Sequence, residues 1–157
     1  MSLQACADLV ARGDPDRFRA TMAAPVAARR VLFPLYAFNI EVSRAPWVTD
    51  EPLIAEMRLQ FWRDVVEELA AGKPPRAHEV ALPLADAIPA DVAGALDPLV
   101  TARQWDIYRE PFEDRAAFDA YIADTAVRRH QRAVGQVVAF GDRLQETRDL
   151  VRAAAGA

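Results

Sequence analysis

The residues best placed to do chemistry fall in two neighbouring segments, Asn39, Glu41 and Arg44 in the first and Arg58 and Arg63 in the second. Amide, carboxylate and guanidinium groups of this kind hold anions, or metal ions that in turn hold anions. A shared metal needs carboxylates three or four residues apart, because only those lie on one face of a helix. Glu41 is the sole acid between Tyr36 and Thr49, and Arg44 follows it at i+3. That arrangement predicts an ion pair, not a metal site. Arg58 and Arg63 are separated by about 140° around a helix, so they do not form one clamp. One of them, facing a cavity, would bind an anion, with Asn39, Glu41 and Arg44 at the cavity mouth. These five are the candidate substrate-binding residues; no residue is assigned a catalytic or metal-ligating role.

Other reactive side chains have simpler readings. Cys6 is expected to be a small buried hydrophobe, and Phe61, Trp62 and Trp105 are expected in the core. His78 reads as a helix-start residue and His130 as solvated within the basic group Arg128, Arg129 and Arg132. That group is expected to face water, with an anionic lipid or phosphate site as the minority reading. Two distant histidines and one cysteine give no zinc or triad pattern, and no phosphate-binding glycine loop or nucleophile elbow is present.

The elements that would position these residues are helical. Glycine is scarce and no strand alternation appears, so the chain is expected to be all-α. A first helix is predicted over 3–12. Asp14 caps a second that begins at Pro15, and Met22 to Pro25 is a break. A third helix runs from Val26 to Arg44, with Pro34 kinking or dividing it. Thr49-Asp50-Glu51-Pro52 starts a fourth, to about Ala71, whose apolar stripe is Ile54, Met57, Phe61, Val65 and Leu69, widened by Leu53, Trp62 and Val66. Gly72 to Pro75 ends it. Further helices are expected over about 78–87, 91–109, 114–133 and 143–155, punctuated by Pro89 and Pro111.

Composition narrows the classes. The 157 residues are 52% hydrophobic and 27% charged, enough for one domain with a real core. A formal net charge of −4 argues against nucleic acid as a partner. No apolar run is long enough to cross a bilayer. One cysteine and no secretory or mitochondrial leader pattern at the N-terminus give an expected cytoplasmic location, with peripheral membrane contact left open.

Several landmarks occur in a fixed order: Asp14-Pro15-Asp16-Arg17-Phe18, Pro25, Arg29-Arg30, Leu35-Tyr36-Ala37-Phe38, Arg58 with Trp62-Arg63, Gly72-Lys73-Pro74 with His78, and Asp106, Phe112 and Tyr121. Over roughly residues 8–126 this set resembles the N-terminal portion of the squalene/phytoene synthase family. The resemblance implies a partial isoprenoid-synthase helical bundle. Active members join two prenyl diphosphates head to head, with magnesium ions on two aspartate-rich motifs neutralising the diphosphates.

In that alignment the first motif begins after Phe38. The family's arginine falls at Ile40, its first two aspartates at Ser43 and Arg44, and its last at Trp47. The second motif belongs to a half of the family domain beyond this chain. The pattern is similar to a divergent branch that includes a mitochondrial complex I assembly factor. It implies a non-catalytic member that binds an isoprenoid or lipid, or serves assembly through a protein partner or homodimer, with no cofactor. The alternative is a magnesium-dependent prenyltransferase making squalene or phytoene. Residues 127–157 depart from the family's small, apolar continuation. The expectation is a divergent helical segment, either a helix that shows its basic face to water or, with a family domain of about 250 residues, the end of a truncated or frameshifted gene product.

Overall fold

The computed structural model describes residues 3–125. Expectations for 127–157, including His130, Arg128, Arg129 and Arg132, lie outside the described residues. Within them every regular element is helical: α1 (Leu3–Gly13), α2 (Pro15–Ala23), α3 (Val26–Arg44), α4 (Pro52–Ala70), α5 (Ala81–Ala87), α6 (Ala90–Ala93), α7 (Asp97–Ala102), α8 (Trp105–Tyr108) and α9 (Arg115–Thr125), with single 3₁₀ turns at Ala45–Trp47 and Gly94–Leu96. None of these helices is long and apolar enough to cross a membrane.

Local chemistry sets the boundaries. Asp14 accepts a hydrogen bond from the Arg17 amide at 3.0 Å and so caps α2, with Pro15 in the first turn. Arg29 donates to the carbonyls of Ala24 and Met22 at 3.1 and 2.7 Å, closing the break before α3. The C-terminus of α4 is a Schellman motif. The amide of Lys73 reaches the Glu68 carbonyl and that of Gly72 the Leu69 carbonyl, with Gly72 at φ 67°.

Two expectations need correction. Of the two readings for Pro34, division of the helix is the one overturned: α3 is continuous through Pro34, which is itself buried between Phe33 and Leu35. The single helix expected over 91–109 is instead a chain of short turns. Pro98 starts α7 from its first turn. Its missing N–H and its ring clash with the carbonyl four residues earlier weigh against an uninterrupted helix there, where no packing comparable to that around Pro34 offsets the cost.

α3 is the central element. α1, α2 and α5 pack on it, and α4 lies beside it while contacting α6, α7 and α8. The core collects Val10, Leu35, Phe38, Val42, Leu59, Val65, Leu84 and Val100. Gly13 lets α1 approach closely: a Cβ there would stand 3.0 Å from Cδ1 of Ile40.

Cys6 is fully buried in α1, with its Sγ 3.8 Å from the Glu79 carbonyl. Burial first, and then the charge of Glu79, push its thiol up from 9.0 to about 11. In the native protein Cys6 is therefore expected to resist Ellman's reagent at pH 8 and to react once denaturant is added. Rapid native-state reaction would contradict the packing. Because the folded value is the higher one, the associated stability is complete below pH 9.0 and is lost as pH rises through about 11.

Candidate functional site

A cavity of about 610 Å³ opens between the end of α3 and the first half of α4, within the ~300–1,000 Å³ range of small-molecule sites. Glu41, Arg44, Ala45 and Val48 line one side. Their i, i+3, i+4, i+7 spacing is a single helical face continued into the 3₁₀ turn. Ile54, Met57, Arg58 and Phe61 line the other side from one face of α4, with Trp62 and His78 completing the wall.

Of the five candidate residues, the structure brings three together here: Glu41, Arg44 and Arg58. Asn39 is buried in α3 among Leu35, Phe38 and Val42 and does not line the cavity. Arg63 lies around the helix, where its Nε contacts Asp97 Oδ1 at 3.3 Å across a smaller cleft of about 340 Å³. The two arginines of α4 thus serve different surfaces, as their angular separation requires.

The expected ion pair between Glu41 and Arg44 does not form. Neither residue makes an ion pair or a side-chain hydrogen bond among the described residues, and the same holds for Arg58. The end of α3 turns at Ala45–Trp47, leaving Arg44 exposed and Glu41 half-buried along the cavity. Exposed i, i+3 pairs contribute a few tenths of a kcal/mol at most, about 0.2–0.5, which is too little to hold two solvated side chains together.

His78 is held in place by its loop. Its Nδ1 accepts the Val80 amide at 3.1 Å, as a helix-start residue does, which leaves Nε2 as the protonated nitrogen of the neutral ring. The ring meets Trp62 edge-on at 5.0 Å and Phe61 at 5.4 Å. Arg76 ties this loop to α4 through Glu68 at 2.8 Å and Asp64 at 3.1 Å. The Arg76 hydrogen bond lowers the Glu68 carboxyl below its ordinary range. The position of His78 in the cavity wall follows from tertiary folding. Its place in the Gly72-Lys73-Pro74…His78 connection is the one sequence signal that could have marked it.

The stripe expected to be core along α4 is split. Val65, Val66 and Leu69 are buried, but Leu53 is 68% and Met57 65% exposed, and Ile54 is also open. Trp47 and Val48 add to this apolar rim. The Arg109 guanidinium lies 4.1 Å from the Trp47 ring centroid, and Tyr108 donates to Glu56 nearby.

The residues present do not fit a magnesium site. The cavity supplies one carboxylate, Glu41, against two guanidiniums, and hard cations need several oxygen ligands. Among the described residues no group of three or more histidine, cysteine, aspartate or glutamate side chains is placed to hold a metal.

Comparison with known proteins agrees with the order of landmarks. The sequence pattern of the family described as Squalene/phytoene synthase matches residues 10–153. The NADH dehydrogenase (ubiquinone) complex I, assembly factor 6 homolog of Drosophila melanogaster is 42% identical over 64 residues, 40% of this chain and 19% of that protein. The Homo sapiens NADH dehydrogenase (ubiquinone) complex I, assembly factor 6 is 31% identical over 70 residues, 45% of this chain and 21% of that protein. The matched stretch therefore spans about a fifth of these relatives. No solved structure matches.

Proposed function

The chain belongs to the squalene/phytoene synthase family, and we propose that it is a binding or assembly member that does not condense prenyl diphosphates. The observation that carries this reading is the reversed charge at the cavity. Arg44 lies where the family's aspartate is expected and lines the same space as Arg58. A guanidinium there cannot ligate a metal, because it has no lone pair to offer and keeps its charge at any working pH. Ser43 and Trp47 in place of the other motif acids support the same reading. So does the similarity to proteins named as complex I assembly factors.

In this role the cavity holds an apolar chain, isoprenoid or lipid, against Val48, Ile54, Met57 and Phe61. The exposed rim at Trp47, Leu53 and Met57 serves a protein partner or a second copy.

The test is pyrophosphate release from farnesyl and geranylgeranyl diphosphate with magnesium, on protein shown to be folded by circular dichroism. No release above the protein-free rate is expected. Magnesium-dependent release would overturn the proposal and require other carboxylates to have taken over the metal site.

A further inference from the structure

We infer that the cavity between α3 and α4 selects an amphiphile with a single anionic head group of low charge, a carboxylate or phosphate monoester on an apolar chain, and holds it with Arg44 and Arg58 directly, without metal. This rests on the binding reading above and names the ligand class.

The first argument is the state of the arginines. Those with structural tasks are paired: Arg63 with Asp97, Arg76 with Asp64 and Glu68, Arg103 with Asp106. Arg44 and Arg58 have no such partner among the described residues, yet both border one cavity. Arg44 lies in the last turn of α3, where a cation favours the helix end. Arg58 sits in the interior of α4 and has no such reason to be there. Arginines from two different helices that line one space suit the oxygens of a single carboxylate or phosphate. The Nε2–H of His78 is a further donor in the same wall.

The second argument is the apolar surface. Ile54 and Met57 project from the face of α4 that also carries Arg58, and Phe61 and Trp62 lie one turn further along. An apolar chain covering Ile54 and Met57 removes from water surface that the fold leaves exposed, with half-buried Phe61 and buried Trp62 as the floor.

Charge balance sets the selectivity. Two guanidiniums stand against the Glu41 carboxylate, a surplus of one positive charge between them. That surplus offsets a carboxylate in full and a phosphate monoester, at about −1.5 to −2 near neutral pH, in part. A diphosphate brings more negative charge than the site can offset, and Glu41 repels it. Glu41 is thus the specificity-determining group.

The experiment is calorimetric titration of the full chain with four probes in EDTA: oleate, farnesyl monophosphate, farnesyl diphosphate and farnesol. Oleate or farnesyl monophosphate should bind at least about tenfold more tightly than farnesol, the scale of one charge-assisted contact. The stronger of the two identifies the head group. Farnesyl diphosphate should bind more weakly than the monophosphate, and Glu41→Gln should narrow that gap. Arg58→Gln should cost about tenfold for the anions and leave farnesol unchanged, while Arg58→Lys recovers part of the loss. Equal affinity for farnesol and the anions, or no binding of any probe, would overturn the inference and leave the non-catalytic reading standing. Magnesium-dependent pyrophosphate release would remove both.

Discussion

Replacing Asp106 with alanine is expected to lower stability by about 3 kcal/mol, the low end of the cost of breaking a buried ion pair. The carboxylate is almost wholly buried. It accepts from Arg103 Nη1 at 3.0 Å and from the Tyr121 hydroxyl at 2.5 Å. α9 has no buried residue of its own, so this bond, with the ring contacts of Tyr121 on Trp105 at 5.0 Å and of Phe118 on Phe112 at 5.4 Å, fastens it to the rest. Removing the carboxylate strands a guanidinium that is only 17% exposed and whose Nε already lacks a partner. The expected fall in Tm is roughly 6–12 °C for a domain of this size. A loss under about 1 kcal/mol in urea titration would show that the network is peripheral. Burial and then the Asp106 hydrogen bond raise the Tyr121 phenol above its ordinary value. Its contribution is therefore full below the ordinary phenol range and declines as pH rises past it. In the alanine variant the phenol should shift part of the way back, burial remaining.

Helix boundaries were legible because they are local. Asp14-Pro15, Thr49 to Pro52 and Gly72 each carry their own hydrogen-bonding or conformational reason. The break at Pro98 was equally local and was hidden by the strong apolar pattern around it. Continuity through Pro34 was not local: the buried neighbours Phe33, Leu35 and Phe38 hold the helix together across the missing hydrogen bond.

The site was legible in part for the same reason. Spacing along α3 shows that Glu41 and Arg44 share a face, and spacing along α4 separates Arg58 from Arg63. Asn39, expected at the cavity mouth, shares its face with Leu35 and Val42 and turns inward with them. What no spacing reveals is which helix lies opposite. Ile54 and Met57 have the periodicity of a core stripe, yet periodicity specifies a face and not what covers it. His78 reaches the cavity only because Arg76 and the Schellman turn fold its loop back onto α4.

That distinction between a core face and an uncovered face has a direct consequence. Phe38→Ala is expected to cost about 3–5 kcal/mol, since the ring is fully buried in α3 and meets the edge of Trp62 at 5.4 Å. The replacement leaves a void between α3 and α4, and neighbours in a close-packed core relax into such a void only in part. Met57→Gln and Leu53→Gln, on the same sequence stripe as Val65, should each change stability by no more than about 0.5 kcal/mol, as exposed positions do. Met57 lines the cavity, so its glutamine variant should instead weaken binding of apolar-chain ligands while the fold stays intact. Denaturation of the three variants beside the parent chain, followed by oleate titration, separates the two roles. If Met57→Gln unfolded as readily as Phe38→Ala, the first half of α4 would belong to the core, and the cavity would not be an open site. With stability kept and affinity lost, the exposed half of the stripe is surface that the fold reserves for a ligand, and α4 carries core and site along one continuous face.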